Sequence, residues 1–334
     1  MTATWVRRAF EQPTEFTSSP LYRSLCRTVA ADDRLLDLAS RGRPGQYPTF
    51  LFLAAVHRLL LGGADHPLAA YFPTVARGGT RRPGDAGDAL RSFCARYEAE
   101  LTALIRTRLV QTNHVQRALA LRYGLSVIAG HTAGPVHVIE VGASAGLNLR
   151  FDRYGYEVGG RRFGDAASRV RLRADLYGDE PLPDLDALPV VASVCGVDLA
   201  PVDVRDPDAR GWLEALIWPE NDHQRALLEA ALDELAGDPP TIHEGDATDV
   251  LPRLAAELPR GEPRVVFHAA TRIHVPAGHQ AEFDAAIAAV AATAPMWHLA
   301  MEDDHLRLTD PEGREHPLAR ADGHLTWLEP LPAP

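Results

Sequence analysis

At 334 residues the chain exceeds the ~100 to 200 residues of an ordinary domain and is expected to hold about two. With 46% hydrophobic and 24% charged residues it can bury a substantial core, which excludes disorder for most of its length. Its 45 acidic against 34 basic residues leave a net charge of -11, the wrong sign for a protein whose main partner is a phosphate backbone, so nucleic acid is set aside.

The N-terminal stretch Met1 to Phe16 carries Arg7, Arg8 and Glu11 and lacks the apolar core of a signal peptide. No run of about 18 apolar residues follows that would span a membrane. Cys26, Cys94 and Cys195 are isolated and odd in number, which fits a reducing compartment, and the protein is expected in the cytoplasm. Helical periodicity occupies roughly 20–41 and 48–61, and Leu90, Phe93, Tyr97, Leu101 and Leu104 recur at steps of three or four. Glycine and proline punctuate the gaps at Gly42 to Pro48, Gly62 to Pro67 and Gly78 to Gly87. Residues 1–134 therefore read as a helical N-terminal domain.

After Gly134 short β-branched runs alternate with helical stretches, the pattern of a parallel sheet built from βα units. Strands are expected at Val136 to Val141, Val190 to Val194, Thr241 to Glu244, Arg264 to His268 and Met296 to Met301. Helices are expected near 219–236, 248–258 and 276–293. Gly159-Gly160 marks an inserted hairpin, because paired glycines supply the positive φ of its turn. Leu306 to Leu328 reads as a closing antiparallel pair. The fold class is α/β, a Rossmann-like mostly parallel sheet over 135–330.

The first strand ends in Glu140 and runs into Gly142-Ala143-Ser144-Ala145-Gly146-Leu147-Asn148. A nicotinamide fingerprint needs glycine where Ser144 stands, and no strand-borne acid follows at the proper distance. Read as Gly-x-Ser-x-Gly between strand and helix, the same residues form a nucleophile elbow, with Ser144 as nucleophile, Asp246 or Asp249 as acid and His268 or His324 as base. Against that, a hydrolase places strands before its elbow, where this chain offers helices.

Read as Glu-x-Gly-x-x-x-Gly, the segment resembles the first motif of class I S-adenosylmethionine-dependent methyltransferases. The resemblance implies that Gly142, Ala143, Ser144 and Gly146 lie against the cofactor, with Glu140 restraining the loop and Asn148 beside it. A sulfonium with a neutral ribose needs no phosphate cradle, which suits a chain in which all 34 basic residues are arginine. The absence of lysine also excludes Schiff-base enzymes and lysine-bearing phosphate loops. Gly245-Asp246-Ala247 resembles the superfamily's turn whose acid accepts from the adenine amino group, although Asp246 or Thr248 serves equally as a helix cap. Asp198 is the candidate ribose acid, at an unusually long spacing from Gly142. His268, where the fourth strand ends, is the candidate base, with a structural histidine as the alternative.

Ahead of the first strand, Gln111, Asn113 and Arg117 cluster at a loop-to-helix junction. Asn113 or Thr112 caps the next helix, or the cluster folds over the cofactor pocket, with Arg117 forking onto a carboxylate of cofactor or substrate. His274, His279 and His305 match no compact ligand spacing, so no metal is expected. The Gln-Thr-Asn segment, the Gly-Ala-Ser-Ala-Gly-Leu-Asn148 loop, Asp198 to Asp203, Trp218-Pro219 and Val-Val-Phe-His268 together resemble an uncharacterised, mostly actinobacterial family, domain-of-unknown-function family 2332, along nearly the whole chain. That family has Glu where His114 stands and Trp where Arg272 stands, which implies that both contact a substrate peculiar to this member. The expected activity is transfer of a methyl group to O or N of a small molecule. The alternatives are displacement within the cofactor, a serine hydrolase, and a non-catalytic methyltransferase-like protein.

Overall fold

The computed structural model describes residues 3–111, 113–132 and 134–332. Packing divides the chain into two units, residues 1–112 with 205–229, and residues 113–204 with 230–334. The expected boundary at 134 follows periodicity rather than packing, since the helix just before it packs with the sheet.

The first unit is helical among its described residues, with α1 (Ala3–Glu11), α2 (Pro20–Ala30), α3 (Asp33–Ser40), α4 (Pro48–Leu61), α5 (Gly87–Arg96) and α6 (Glu98–Thr107). Where one helical stretch was expected over 20–41 there are two. The Asp32 carboxylate accepts from the amides of Arg34 and Leu35 and so starts α3 afresh. The stripe from Leu90 to Leu104 is likewise broken at Tyr97, with no glycine or proline to signal it. Trp212 joins Phe10, Phe52 and Phe72 in this unit's core, and Arg58 pairs with Asp208 at 2.9 Å.

The second unit begins with α7 (Ala118–Ile128), then β1 (Val136–Val141), β2 (Gly155–Val158), β3 (Arg161–Gly164), β4 (Arg171–Leu176) and β5 (Val191–Asp198). The segment 205–229 returns to the helical unit with α8 (Pro207–Leu216), and α9 (Asp222–Gly237) leads back. Then come β6 (Thr241–Glu244), α10 (Ala247–Glu257), β7 (Arg264–Ala269), α11 (Gln280–Ala289), β8 (Met296–Glu302), β9 (His305–Thr309), β10 (Glu315–Ala321) and β11 (Trp327–Pro330).

These strands form one mixed, mostly parallel sheet in the order β3-β2-β4-β11-β10-β9-β8-β7-β1-β5-β6. β6, β5, β1, β7 and β8 are mutually parallel neighbours, and β9, β10 and β11 then alternate in direction. The hairpin at Gly159 and Gly160 is present, with φ of 55° and 79°. β4 was not expected, and the closing pair is a three-stranded meander. All six residues of β1 are buried, as a strand with parallel neighbours on both sides requires. Ile139, Val141, Val197 and Val266 bury one face of the sheet against Val250, Leu251 and Leu254 of α10 and Phe283 and Ile287 of α11. Among the described residues no helix is long and apolar enough to cross a membrane.

Leaving aside β2, β3 and β4, which join the far edge, the parallel strands after β1 go first to one side, β5 then β6, and afterwards to the other, β7 then β8. The order therefore reverses beside β1, and a crevice opens outside the carboxyl ends of strands at such a point. α7 lies so close to β8 that a Cβ on Gly124 would come within 2.3 Å of Leu299 Cδ2, and Leu299 is fully buried. Gly124→Leu should therefore cost about 1–3 kcal/mol of stability despite its better helix propensity. In denaturant titrations, adding Leu299→Ala should recover part of that loss; simple additivity of the two changes would refute the close approach.

Candidate functional site

The loop after β1 is held by every amide it possesses. Gly142 and Ala143 donate to the Val197 carbonyl at 2.8 and 3.2 Å, and Gly146 donates to Ala143 at 2.7 Å. The Ser144 amide donates to Asp198 Oδ2 at 2.7 Å, and the Ala145 amide to Asn113 Oδ1 at 3.4 Å. Gly142, Ser144 and Gly146 take positive φ of 77°, 50° and 78°, which curls the loop back over the ends of β1 and β5. A Cβ on Gly142 would meet Thr271 Oγ1 at 2.4 Å, and one on Gly146 would meet Pro240 Cγ at 2.5 Å. Both glycines thus admit the protein's own side chains. Gly196 does the same for Ala143, whose Cβ lies 2.5 Å from where a Cβ on Gly196 would stand.

Ser144 is a non-glycine residue in the left-handed region, a strained choice that a local hydrogen bond offsets. Its Oγ accepts from Asn113 Nδ2 at 3.0 Å, so Asn113 clamps the loop from one side and does not cap a helix. Thr112, the other candidate cap, lies outside the described residues. Asp198 clamps from the other side, with Oδ1 accepting from the Ala200 amide at 2.8 Å.

Glu140 is 2% exposed, and its Oε1 accepts from Asn148 Nδ2 at 2.7 Å. Glu140 Oε2 and Asn148 Oδ1 are buried without a hydrogen-bond partner. Burial pushes the Glu140 carboxyl up to about 8; the Asn148 bond and Arg117 oppose this and Asp198 adds to it. Arg117 sits in the turn before α7 and donates through Nε to the Gly323 carbonyl at 3.1 Å. Burial pushes its guanidinium down to about 10, with Glu302 and Glu140 pulling the other way.

On the far side of β1, His268 Nδ1 lies 2.8 Å from Glu302 Oε1, both side chains being buried. That oxygen also accepts from the amides of Thr271 and Arg272 at 2.8 and 2.9 Å. Burial alone would raise the Glu302 carboxyl, but His268 and these amides outweigh it and hold Glu302 below the usual range. An ionised carboxylate only accepts, so His268 Nδ1 donates and Nε2 is left on the side of the ring away from Glu302. The His298 ring stacks obliquely at 5.1 Å, and burial followed by His268 pushes it down to about 4.

Asn113, Arg117, Glu140, Gly142, Ala143, Ser144, Gly146, Asn148, Asp198 and His268 are thus drawn together at the ends of β1, β5 and β7. His114 packs against His324 at 4.2 Å, and burial, then Arg117 and His324, keep it well below the usual histidine range. Asp246 caps α10 through the Thr248 amide and hydroxyl, and Ala247 opens that helix. Arg272 does not turn inward; its guanidinium makes a two-pronged pair with Asp284 at 2.8 and 2.9 Å. Gln111 belongs to the helical unit. Among the described residues no group of three His, Cys, Asp or Glu gathers to hold a metal. Glu302 and Thr271 escaped the sequence reading. Glu302 lies 34 positions from its histidine beside two further acids, and nothing local singles it out.

Glu140 makes the site's pH response testable. The folded state holds its proton more tightly than the unfolded chain, so its contribution to stability is complete below the unfolded value of 4.5 and is lost as pH rises to about 8. Glu140→Gln cannot ionise. Its stability relative to the parent should climb across that window by up to about 1.4 kcal/mol per pH unit. Urea titrations from about pH 5 to 8 read this directly, and parallel curves for the two proteins would refute the raised value.

Comparison with curated proteins and with solved structures finds no match. A family described as uncharacterised proteins conserved in bacteria, DUF2332, matches residues 7–329. With its Gly-Ala-Ser-Ala-Gly loop, its Asp198 clamp and nearly its whole length inside that match, the chain belongs to the DUF2332 family.

Proposed function

We propose that this protein is an S-adenosylmethionine-dependent transferase of the class I methyltransferase type that methylates O or N of a small molecule. The observation that carries this reading is the spent state of the loop. A phosphate-binding loop offers free amides, whereas all five amides from Gly142 to Gly146 already bond to protein oxygens. The anion seated on Ser144 is the protein's own Asp198. Such a loop suits a nucleoside without phosphate.

Asp198 and Glu302 favour a cationic ligand in the same way, while Glu140 keeps its proton at neutral pH. Glu140, Asp198 and Glu302 stand around the ends of β1, β5 and β8 with Arg117 as the nearby fixed cation. In chain order the five parallel strands run 3-2-1-4-5, the order of the nucleotide-binding half-folds, with the loop at the reversal. S-adenosylmethionine fits this donor set. Bound there, it would supply an activated methyl group on a sulfonium that is already a good leaving group. Asp198 would face its positive end, with the protonated Glu140 beside it. Asp246, whose Oδ2 bears no bond among the described residues, would accept from the adenine amino group.

His268 is the base. Glu302 fixes its Nδ1–H, and Nε2 has no partner among the described residues. With the methyl group supplied from that sulfonium, Nε2 would take the proton that the acceptor's oxygen or nitrogen gives up. Holding acceptor and methyl in line supplies much of the acceleration, ~7 to 11 kcal/mol where alignment is good.

A serine hydrolase retains one supporting feature, the strained φ of 50° at Ser144. Its other parts are committed elsewhere. Ser144 Oγ bonds Asn113, His268 bonds Glu302, and the Ala145 amide that would stabilise an oxyanion bonds Asn113.

Calorimetry should detect binding of S-adenosylmethionine and of its demethylated product, with Gly142→Arg abolishing both. Absence of heat from either ligand, in protein folded by circular dichroism, overturns the proposal and leaves a non-catalytic role. Ser144→Ala should change affinity by only a few-fold, since one neutral hydrogen bond is worth about 1 kcal/mol. A fluorophosphonate probe should leave Ser144 unlabelled; labelling would decide for the hydrolase. Once turnover is in hand, His268→Ala should slow it by about 100-fold or more, and undiminished turnover across pH would reduce His268 to a structural residue.

A further inference from the structure

One cation of the site is only partly bonded. The Arg117 side chain is half-buried, and Nε alone is bonded, to the Gly323 carbonyl at 3.1 Å. Its two terminal nitrogens have no partner among the described residues. The carboxylates nearest to it are bonded through one oxygen each and do not reach it, and Oε2 of both Glu302 and Glu140 is buried without a partner. Glu302 Oε1 takes His268 and two backbone amides, and Glu140 Oε1 takes Asn148 while its carboxyl keeps a proton at neutral pH. Four donors of a planar fork thus stay open to a ligand, on a group close enough to Glu302 and Glu140 for both to act on its charge.

The surrounding imidazoles do not compete for an anion. His114 is held neutral by burial, Arg117 and His324, and His274 and His324 are lowered by burial and by Arg117. Two large aliphatic side chains nearby stand open to solvent. Leu199 follows Asp198 directly at the end of β5 and is 70% exposed; Ile273, in the turn after β7, is 56% exposed. Large aliphatic side chains so open to solvent, on the loops that follow both neighbours of β1, suit a ligand with an apolar body.

We propose that Arg117 receives the carboxylate of the acceptor substrate, and that the acceptors are small carboxylic acids with an apolar body. This rests on the transferase reading for the reaction but not for the binding. A planar fork and a carboxylate match in two parallel hydrogen bonds, which neither an alcohol nor an amide reproduces. The bound carboxylate is then the handle, and a separate hydroxyl or amine on the same molecule meets His268.

Phenylacetate and the isosteric phenylacetamide are the probes. Saturation-transfer NMR titrations of the full chain, with and without the demethylated cofactor, should give at least about tenfold tighter binding of phenylacetate. Arg117→Gln should remove that preference while keeping the calorimetric affinity for the demethylated cofactor within a few-fold. Arg117→Lys, which keeps a charge without the fork, should retain part of it. Equal binding of the two probes to the parent protein, or binding of neither, overturns the proposal without any variant being needed. Loss of cofactor binding in Arg117→Gln with phenylacetate binding intact would also overturn it, by assigning Arg117 to the cofactor. Failure of the cofactor to bind the parent protein defeats the transferase reading alone, since the acid preference is measured without it.

Discussion

The hydrogen bond from the Ser144 amide to Asp198 is the contact on which the rest of the site depends. It joins the loop after β1 to the last residue of β5, two points 54 positions apart in the chain. That bond seats an anion inside the curl formed by residues in left-handed conformations, the place where other folds hold a phosphate. With the anion supplied internally, the loop becomes a rigid floor rather than a cradle. Asn113 completes the floor from above through both Ser144 and Ala145. The strain of Ser144 is stored here because two clamps overdetermine it, which is the circumstance in which such strain persists.

Rigidity of that floor decides how charge is distributed above it. Glu140 keeps its proton at neutral pH because burial outweighs its one donor, Asn148, while Glu302 across β1 gives its proton up because three donors converge on one of its oxygens. Two acids of similar chemistry end in different protonation states through the balance of burial against donors. Such divergence is how a single site separates roles among identical groups.

Much of this was legible from composition and period. β1 shows as a continuous apolar run because parallel neighbours and helices bury all of it. The Gly159-Gly160 hairpin was legible because only glycine takes its turn easily. The long spacing between Gly142 and Asp198, which weakened the assignment of that acid, has a structural cause. β2, β3 and β4 are inserted between β1 and β5 but add to the opposite edge of the sheet, so β5 still lies beside β1. β4 left a readable trace, alternating exposed and buried residues over Arg171–Leu176, that went unread amid charged residues. The return of residues 205–229 to the helical unit, and the pairing of His268 with Glu302, left none. Both are decided by contacts between distant segments that no local pattern encodes.

The arginine-only composition, which reads as a compositional bias, has a physical consequence at one residue. Burial shifts Arg117 from its ordinary value down to about 10, and the group remains a cation throughout the neutral range. A lysine starts lower, at ~10.4, so a displacement of the same size would bring it close to neutrality and cost the site its fixed charge. A lysine would also present a point charge where the fork presents paired donors. The depth at which Arg117 sits is thus compatible with a permanent positive charge only for arginine. With Nε alone bonded, that charge and the remaining donors of the fork are left for a ligand.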